Sequence, residues 1–304
     1  MSSFEPASSQ NRYMIDIESG TETARLVDQD RLFTEAMGGL FPELPESDLA
    51  PVQRILDIAC GPGGWAVEVA FAYPDYEVVG IDISQNTIEY ARAVAWSRGL
   101  NNVTFSVMDA TKPLAFEDAS FDLVNTRLIS AFMNKTSWPL LLAECQRILR
   151  PGGIIRLSEV ETGTSNSLAA LRLGGCFMQV LAQQGRSFSV DGHSIGLAHV
   201  MRRLLQDAGF TDIHKRAFLL ESSYGMPLHY GLCKDTEIAF ALLKPYLVKS
   251  GVIAEAEYDE LYNRMIIDML SEDYLGVAFG LTAWGVKPSD LPVKPAEKDW
   301  RREG

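Results

Sequence analysis

The stretch LDIACGPGGWA, residues 56–66, decides how the rest of the chain is read. Gly61, Gly63 and Ala66 follow a G-x-G-x-x-A spacing at the opening of a helix, and Asp82 stands about twenty residues further on, where such a unit holds a ribose. Glycine suits this turn because a side chain would keep a ligand away from the backbone. The spacing admits NAD or another nucleoside cofactor. Asp57 tells against NAD, since a carboxylate just before the turn repels a pyrophosphate and attracts an ammonium or sulfonium group. The helical segment of about fifty residues ahead of the loop, and the lack of a second mononucleotide half, also tell against a dinucleotide.

Working outward, Arg54–Asp57 ends a buried strand and GWAVEVAFAY continues as a helix. YEVVGIDIS is a second strand, and Ser84 is placed to cap the helix QNTIEYARAVAWSRG, which Gly99 closes. NVTFSVMDA and FDLVNTR read as further strands, WPLLLAECQRILRPGG as an amphipathic helix stopped by Pro151, Gly152 and Gly153, and IIRLSEVE as the fifth strand. This alternation predicts a mostly parallel sheet covered on both faces, with ligand loops at the carboxyl ends of the strands. Beyond Glu161 the rhythm breaks. Helices are predicted over 167–185, 196–210, 236–251 and 255–272, with strands over 211–222 and 274–286.

The formal charge of −13 and the pI near 4.8 oppose binding to a phosphate backbone, so no nucleic-acid partner is expected. Residues 1–50 carry ten acids against Arg12, Arg25 and Arg31, which reads as a solvated face. Cys60, Cys145, Cys176 and Cys233 are dispersed, with no zinc-like spacing, so reduced thiols and no metal site are expected. No signal peptide and no run of about 18 apolar residues is present, which makes a cytoplasmic protein without a membrane span the expectation.

LDIACGPGGWAVEVA, VVGIDIS, VMDATKPLAFEDASFDLV and ECQRILRPGGIIRLSEV together resemble, in order from about residue 52 to 160, the motifs of class I S-adenosylmethionine-dependent methyltransferases. LLQDAGFTDI and the final strand are similar to that fold's closing helix and reversed hairpin. The nearest tone is that of the ubiquinone- and menaquinone-type C-methyltransferases and related small-molecule enzymes. The resemblance implies an α/β, Rossmann-like, seven-stranded, mostly parallel sheet with an antiparallel final strand. It also implies a helical N-terminal cap over 1–50, a methyltransferase domain over 51–288 with helical lid insertions at about 162–195 and 225–273, and a loose tail over 289–304.

By this resemblance Asp57, with the backbone at Ala59, Gly61 and Gly63, should hold the methionine part of S-adenosylmethionine. Asp82 should accept both ribose hydroxyls, Asp109 beside Ala110 the adenine amino group, and Ile83 with Met108 the two ring faces. The backbone of Asn125, Thr126 and Arg127 should face the amino acid end, while the Arg127 side chain pairs with the cofactor carboxylate or with a neighbouring acid. Tyr13 and Arg25 are the contact candidates from the N-terminal cap, where packing alone would serve as well. If the acceptor needs deprotonation, His193, His229 and Glu159 are the candidate bases. The aromatic and Met residues of the two insertions suit an apolar acceptor pocket, core packing or a homodimer face. The sequence after the fourth strand, NTRL, lacks the N/D-P-P-Y/F/W signature of base-amine methylation, which leaves a small organic acceptor. A nucleic-acid or protein methyltransferase, or a cofactor-binding member without turnover, is the rival reading.

Overall fold

A computed structural model describes residues 14–16 and 18–289; Tyr13 and all but the first residue of the 289–304 tail lie outside the described residues. Five parallel strands, β1 (Arg54–Ile58), β2 (Glu77–Asp82), β3 (Val103–Val107), β4 (Phe121–Arg127) and β5 (Leu149–Val160), form the core of the sheet. They are preceded by helices α1 (Gly20–Met37) and α2 (Glu46–Leu49) and joined by α3 (Gly64–Ala72), α4 (Gln85–Ser97) and α5 (Ser137–Ile148). The chain continues through β6 (Thr164–Ser165), α6 (Leu168–Gln183), α7 (Leu197–Asp207), β7 (Thr211–Glu221), α8 (His229–Lys249), α9 (Glu255–Met269) and β8 (Gly276–Val286).

The strand order is β3-β2-β1-β4-β5-β8, with β7 on the far side of β8 and β8 antiparallel to both its long neighbours. Among the described residues the sheet has eight strands rather than seven. The additional one, two-residue β6, pairs with Gly276 and Val277 of β8 on the edge that β5 leaves after Val160. Strand order reverses at β1, so the carboxyl ends of β1, β2 and β4 open onto a crevice between the two halves of the sheet. Both faces of the central strands β1, β2, β4 and β5 are buried. Leu56, Ile58, Val124 and Leu157 pack under α5 and α7, while Ile55, Val78 and Leu123 pack against Trp65, Val69 and Ile88 of α3 and α4. Near-continuous apolar strands are what such two-sided burial requires.

Two predicted boundaries move. The helix expected to be stopped by Pro151, Gly152 and Gly153 ends earlier, at Ile148, because Leu149 onward pairs with β4 across an irregularity between Phe121 and Leu123, so the Pro-Gly-Gly run lies within β5. The helix read from Thr236 begins at His229, and Gly231 inside it is explained by close packing: a Cβ there would meet the Leu32 side chain of α1. The four cysteines are free thiols. The acidic N-terminal stretch is not merely a solvated face, since Glu22 and Glu43 are fully buried in ion pairs with Arg25 and Arg156. Helices α6, α8 and α9 pack on one another around Leu173, Leu247, Tyr258 and Met265, forming an apolar core apart from the sheet.

Gly63 caps α3 at φ 78°, and a Cβ there would stand 2.7 Å from Phe105 and 2.8 Å from Ala91. Gly63→Ala must adopt a left-handed backbone and push a packed ring, so it is expected to lose about 2–4 kcal/mol. Urea unfolding measures this. An unchanged midpoint would show that the turn relaxes freely.

Candidate functional site

A cavity of about 770 Å³ lies over the carboxyl ends of β1, β2 and β4, within the range of small-molecule sites. Its floor is the loop after β1. Ala59 and Gly61 take positive φ, 55° and 53°, which turns the chain sharply, and the nearest atom to a Cβ at Gly61 would be Leu26 Cδ1 at 4.0 Å. The turn is pinned by Asp82. One carboxylate oxygen accepts the Gly61 N–H at 2.9 Å, and the other accepts the Ser84 N–H at 2.9 Å and the Thr87 hydroxyl at 3.4 Å. Asp82 is therefore both a wall of the cavity and the clamp of the loop, while Ser84 caps α4 as expected by accepting from Thr87 N–H. Burial raises the Asp82 pKa above the ordinary carboxylate value, against the hydrogen bonds it accepts.

Asp57 sits deeper. Its side chain is 3% exposed, lines the cavity, and accepts from Asn125 Nδ2 at 2.7 Å. Asn125 Oδ1 in turn accepts from Arg156 at 2.8 Å, and Arg156 is ion-paired with Glu43. A guanidinium only donates, so the Asn125 carbonyl must face Arg156 and its amide must face Asp57. Desolvation by burial lifts the Asp57 pKa to about 7 despite Asn125 and Arg156, which act to lower it. The carboxyl is thus poised to gain from a cation placed beside it.

The far wall is made by Asp109, Met108, Ala110, Thr111 and Lys112 after β3, with Ile83 from the end of β2 opposite. Asp109 accepts the Thr111 N–H and hydroxyl at 2.9 and 2.7 Å and faces Lys112 Nζ at 3.4 Å. Burial acts to raise its pKa, but these partners outweigh burial and hold it below the usual value. The lid is α1, whose Leu26, Gln29, Asp30, Phe33 and Met37 present one helical stripe to the cavity. Leu128, Phe132, Ser158 and Phe218 close the end nearest β4, β5 and β7. Six carboxylates (Asp16, Glu18, Asp30, Asp57, Asp82, Asp109) and two cations (Lys112, Arg127) line the whole, which gives it an acidic interior.

Of the residues singled out from sequence, Asp57, Ala59, Gly61, Asp82, Ile83, Met108, Asp109, Ala110 and Arg127 come together here. Gly63 does not; it packs on Phe105 and Ala91 behind the loop. Asn125 lies beneath Asp57 rather than facing the cavity. Arg127 lines the cavity, is ion-paired with Asp30 and donates to Thr34 Oγ1 at 2.9 Å, tying α1 to the sheet. Desolvation by burial, followed by the Arg156 charge, lowers its pKa to about 9. Arg25 bonds Glu22 and Asp235, away from the cavity wall.

None of the three candidate bases lines the cavity. Glu159 accepts the Ile129 and Ser130 N–H groups at 2.8 and 3.3 Å, closing the start of a 3-10 turn (Ile129–Ala131), and burial first of all lifts its pKa to about 7. His193 is exposed in the loop before α7, and His229 starts α8 with Nδ1 against the Ser222 carbonyl at 2.8 Å. The aromatic and Met residues of the insertions also stay out of this cavity: Met178 and Met265 are core, and Tyr224, Met226 and Tyr230 are exposed. Sequence reasoning missed the α1 stripe and the Glu43–Arg156 pair. The i, i+3, i+7, i+11 spacing of Leu26, Gln29, Phe33 and Met37 and the lone Arg in IIRLSEVE were the available signals.

Residues 55–153 match the methyltransferase domain family. The chain is 32% identical over 168 residues to phosphoethanolamine N-methyltransferase 1 of Arabidopsis thaliana, covering 55% of this chain and 30% of the relative. It is 34% identical over 119 residues to the demethylmenaquinone methyltransferase of Deinococcus radiodurans, covering 39% and 48%. It is also 26% identical over 266 residues to the secondary metabolism regulator laeA of Coprinopsis cinerea, covering 78% and 62%. The chain thus spans less than two thirds of the length of each of these curated relatives.

Proposed function

We propose that this chain, whose residues 55–153 match the methyltransferase domain family, binds S-adenosylmethionine and transfers its methyl group to a small organic acceptor. The acidic lining of the crevice at the β1, β2 and β4 ends carries this reading. Its donor set fits the cofactor. Asp57 can neutralise an ammonium group, Asp82 retains acceptor capacity on the oxygen that binds Gly61, and Met108 and Ile83 offer apolar contact to a ring. The same lining opposes a pyrophosphate, whose charges would meet six carboxylates.

When bound, the cofactor supplies an electrophilic methyl group on a sulfonium with a neutral thioether as leaving group. The protein's part is then placement. Phe33, Met37, Leu128, Phe132 and Phe218 shield the β4–β5 end from water, and Ser158 offers one hydroxyl there. Holding the acceptor in line with the methyl group in a dry site supplies much of the acceleration. His193, His229 and Glu159 stand outside this wall, so this reading gives none of the three a role as base and places the acceleration in proximity and desolvation. His193→Ala is accordingly expected to change saturated turnover less than about twofold, whereas a general base would contribute about 10²- to 10⁴-fold. The formal charge of −13 favours small acceptors over polyanions. Among the described residues no helix is long and apolar enough to cross a membrane, and no group of three or more His, Cys, Asp or Glu is arranged to hold a metal.

Titration calorimetry tests the reading. S-adenosylmethionine and its demethylated product should bind, and NAD should not; binding of NAD alone would overturn it. Methyl-labelled cofactor incubated with fractionated small-metabolite extracts then separates an enzyme from a cofactor-binding member without turnover. Asp82→Ala removes both the acceptor and the clamp on Gly61, so it should weaken cofactor binding by about 1.5–3 kcal/mol, roughly 10- to 150-fold. Equal affinity in a folded variant would remove Asp82 from the site.

A further inference from the structure

A second cavity of about 260 Å³ lies on the other side of α1, and Phe33 lines both. One turn of α1 makes the partition: Gln29 lines the first cavity and donates to Asp235, which lines the second, at 3.1 Å. The second cavity is walled by α6, the start of α8, and the ends of β7 and β8. Its polar lining includes hydroxyls of Thr162, Ser165, Ser222, Thr236 and Tyr274 beside the Asp235 carboxylate. Among the described lining residues, Asp235 is the one charged side chain, and there is no Lys, Arg or His.

Hydroxyls can donate or accept, but a carboxylate only accepts, so the field of this cavity is neutral to negative. A phosphate or carboxylate entering it would lose hydration and meet Asp235, whose ion-pair partner Arg25, at 2.8 Å, lies outside the lining and is shared with Glu22, so that the three together keep a net negative charge. An alcohol or ammonium group finds acceptors there. We propose that the second cavity is the specificity pocket for the acceptor. The reacting end stands in the first cavity, and a neutral or cationic, hydrogen-bond-donating end reaches past the Phe33 ring into the second. This rests on the methyl-transfer reading for the first cavity. It makes anionic acceptors the ones this chain rejects.

Gly174 of α6 gives a clean test. It lines the second cavity and not the first, and a Cβ there would meet nothing within 4 Å, so a larger side chain enters open space. Gly175, equally unencumbered but outside the lining, controls for the helix-propensity gain of losing a glycine. The probes are tyramine, tyrosol and 4-hydroxyphenylacetate, which share a phenol and differ in bearing an ammonium, an alcohol or a carboxylate. Binding is followed by NMR, with and without S-adenosylhomocysteine.

Tyramine and tyrosol are expected to bind, with 4-hydroxyphenylacetate at least about tenfold weaker than tyramine. Gly174→Leu should weaken the first two about tenfold or more, and Gly175→Leu less than about twofold. Ala170→Met, which fills the same cavity from the next turn of α6, should behave as Gly174→Leu does and serves if that variant does not fold. Carboxylate binding equal to tyramine, tyramine affinity unchanged in both filled variants, or no binding by any of the three would overturn the proposal. Loss of tyramine in the filled variants of a protein that takes up no S-adenosylhomocysteine would support the pocket and overturn the methyl-transfer reading instead.

Discussion

Asp57→Asn is expected to weaken S-adenosylmethionine binding by about 2–4 kcal/mol, roughly 30- to 1,000-fold, while making the free protein more stable. Both effects come from one group. In the free protein Asp57 is buried with a pKa of about 7 against an ordinary 3.8, so its ionised form is disfavoured until a cation arrives. Because the folded pKa is raised, the favourable contribution of Asp57 to folding is fully present below about pH 4 and is lost as pH rises through about 7. Asparagine has no such loss, so at neutral pH the variant should gain about 2–4 kcal/mol over the parent, an advantage that closes as pH falls toward 4.

Binding has the opposite sign. A cationic ligand selects the carboxylate, so below about pH 7 it must expel a proton, and affinity should fall by up to about tenfold per pH unit, levelling off above 7. Calorimetry in buffers of different ionisation enthalpy would show proton release at pH 6 that the variant lacks. A flat affinity between pH 5.5 and 8, or equal affinity in parent and variant, would remove Asp57 from the cation site.

The sheet was legible because its signals are local. Apolar runs, glycine turns and cap residues are short-range features, and the parallel order follows from their alternation. The carboxylates near strand ends were legible for the same reason: Asp57 is the last but one residue of β1, Asp82 ends β2 and Asp109 follows β3 by two residues. What escaped is long-range pairing. Nothing near Glu43 in sequence announces Arg156, and nothing near Arg25 announces Asp235, because such pairs form only when the chain has folded. The place of Glu159 outside the cavity lining has a related reason. Glu159 sits where a strand-end acid could act, yet it is consumed by two orphan N–H groups of the next turn. The two-residue β6 carries no periodicity to read.

The Glu43–Arg156 pair should be the most sensitive point of the fold outside the apolar core. Both side chains are fully buried, and Arg156 lies between Glu43 and Asn125, with Phe41 and Trp65 rings about its guanidinium at 6.0 and 5.9 Å. Arg156→Met leaves the Glu43 carboxylate buried without its cation, which is expected to cost about 3–5 kcal/mol. Adding Glu43→Leu removes the stranded charge and should recover about 2–3 kcal/mol of that loss, the remainder being the Asn125 carbonyl left without a donor. The effect on the cavity separates this from simple packing. Without Arg156 nothing fixes which end of the Asn125 amide faces Asp57, and a charge that lowers the Asp57 pKa is gone. The pH below which cofactor affinity declines should therefore move above 7 in the double variant, even as its stability returns. Urea unfolding gives the first quantity and calorimetry against pH the second. If the double variant is no more stable than Arg156→Met, the pair is not coupled; if stability returns and the pH midpoint stays at 7, Arg156 supports the fold without tuning Asp57.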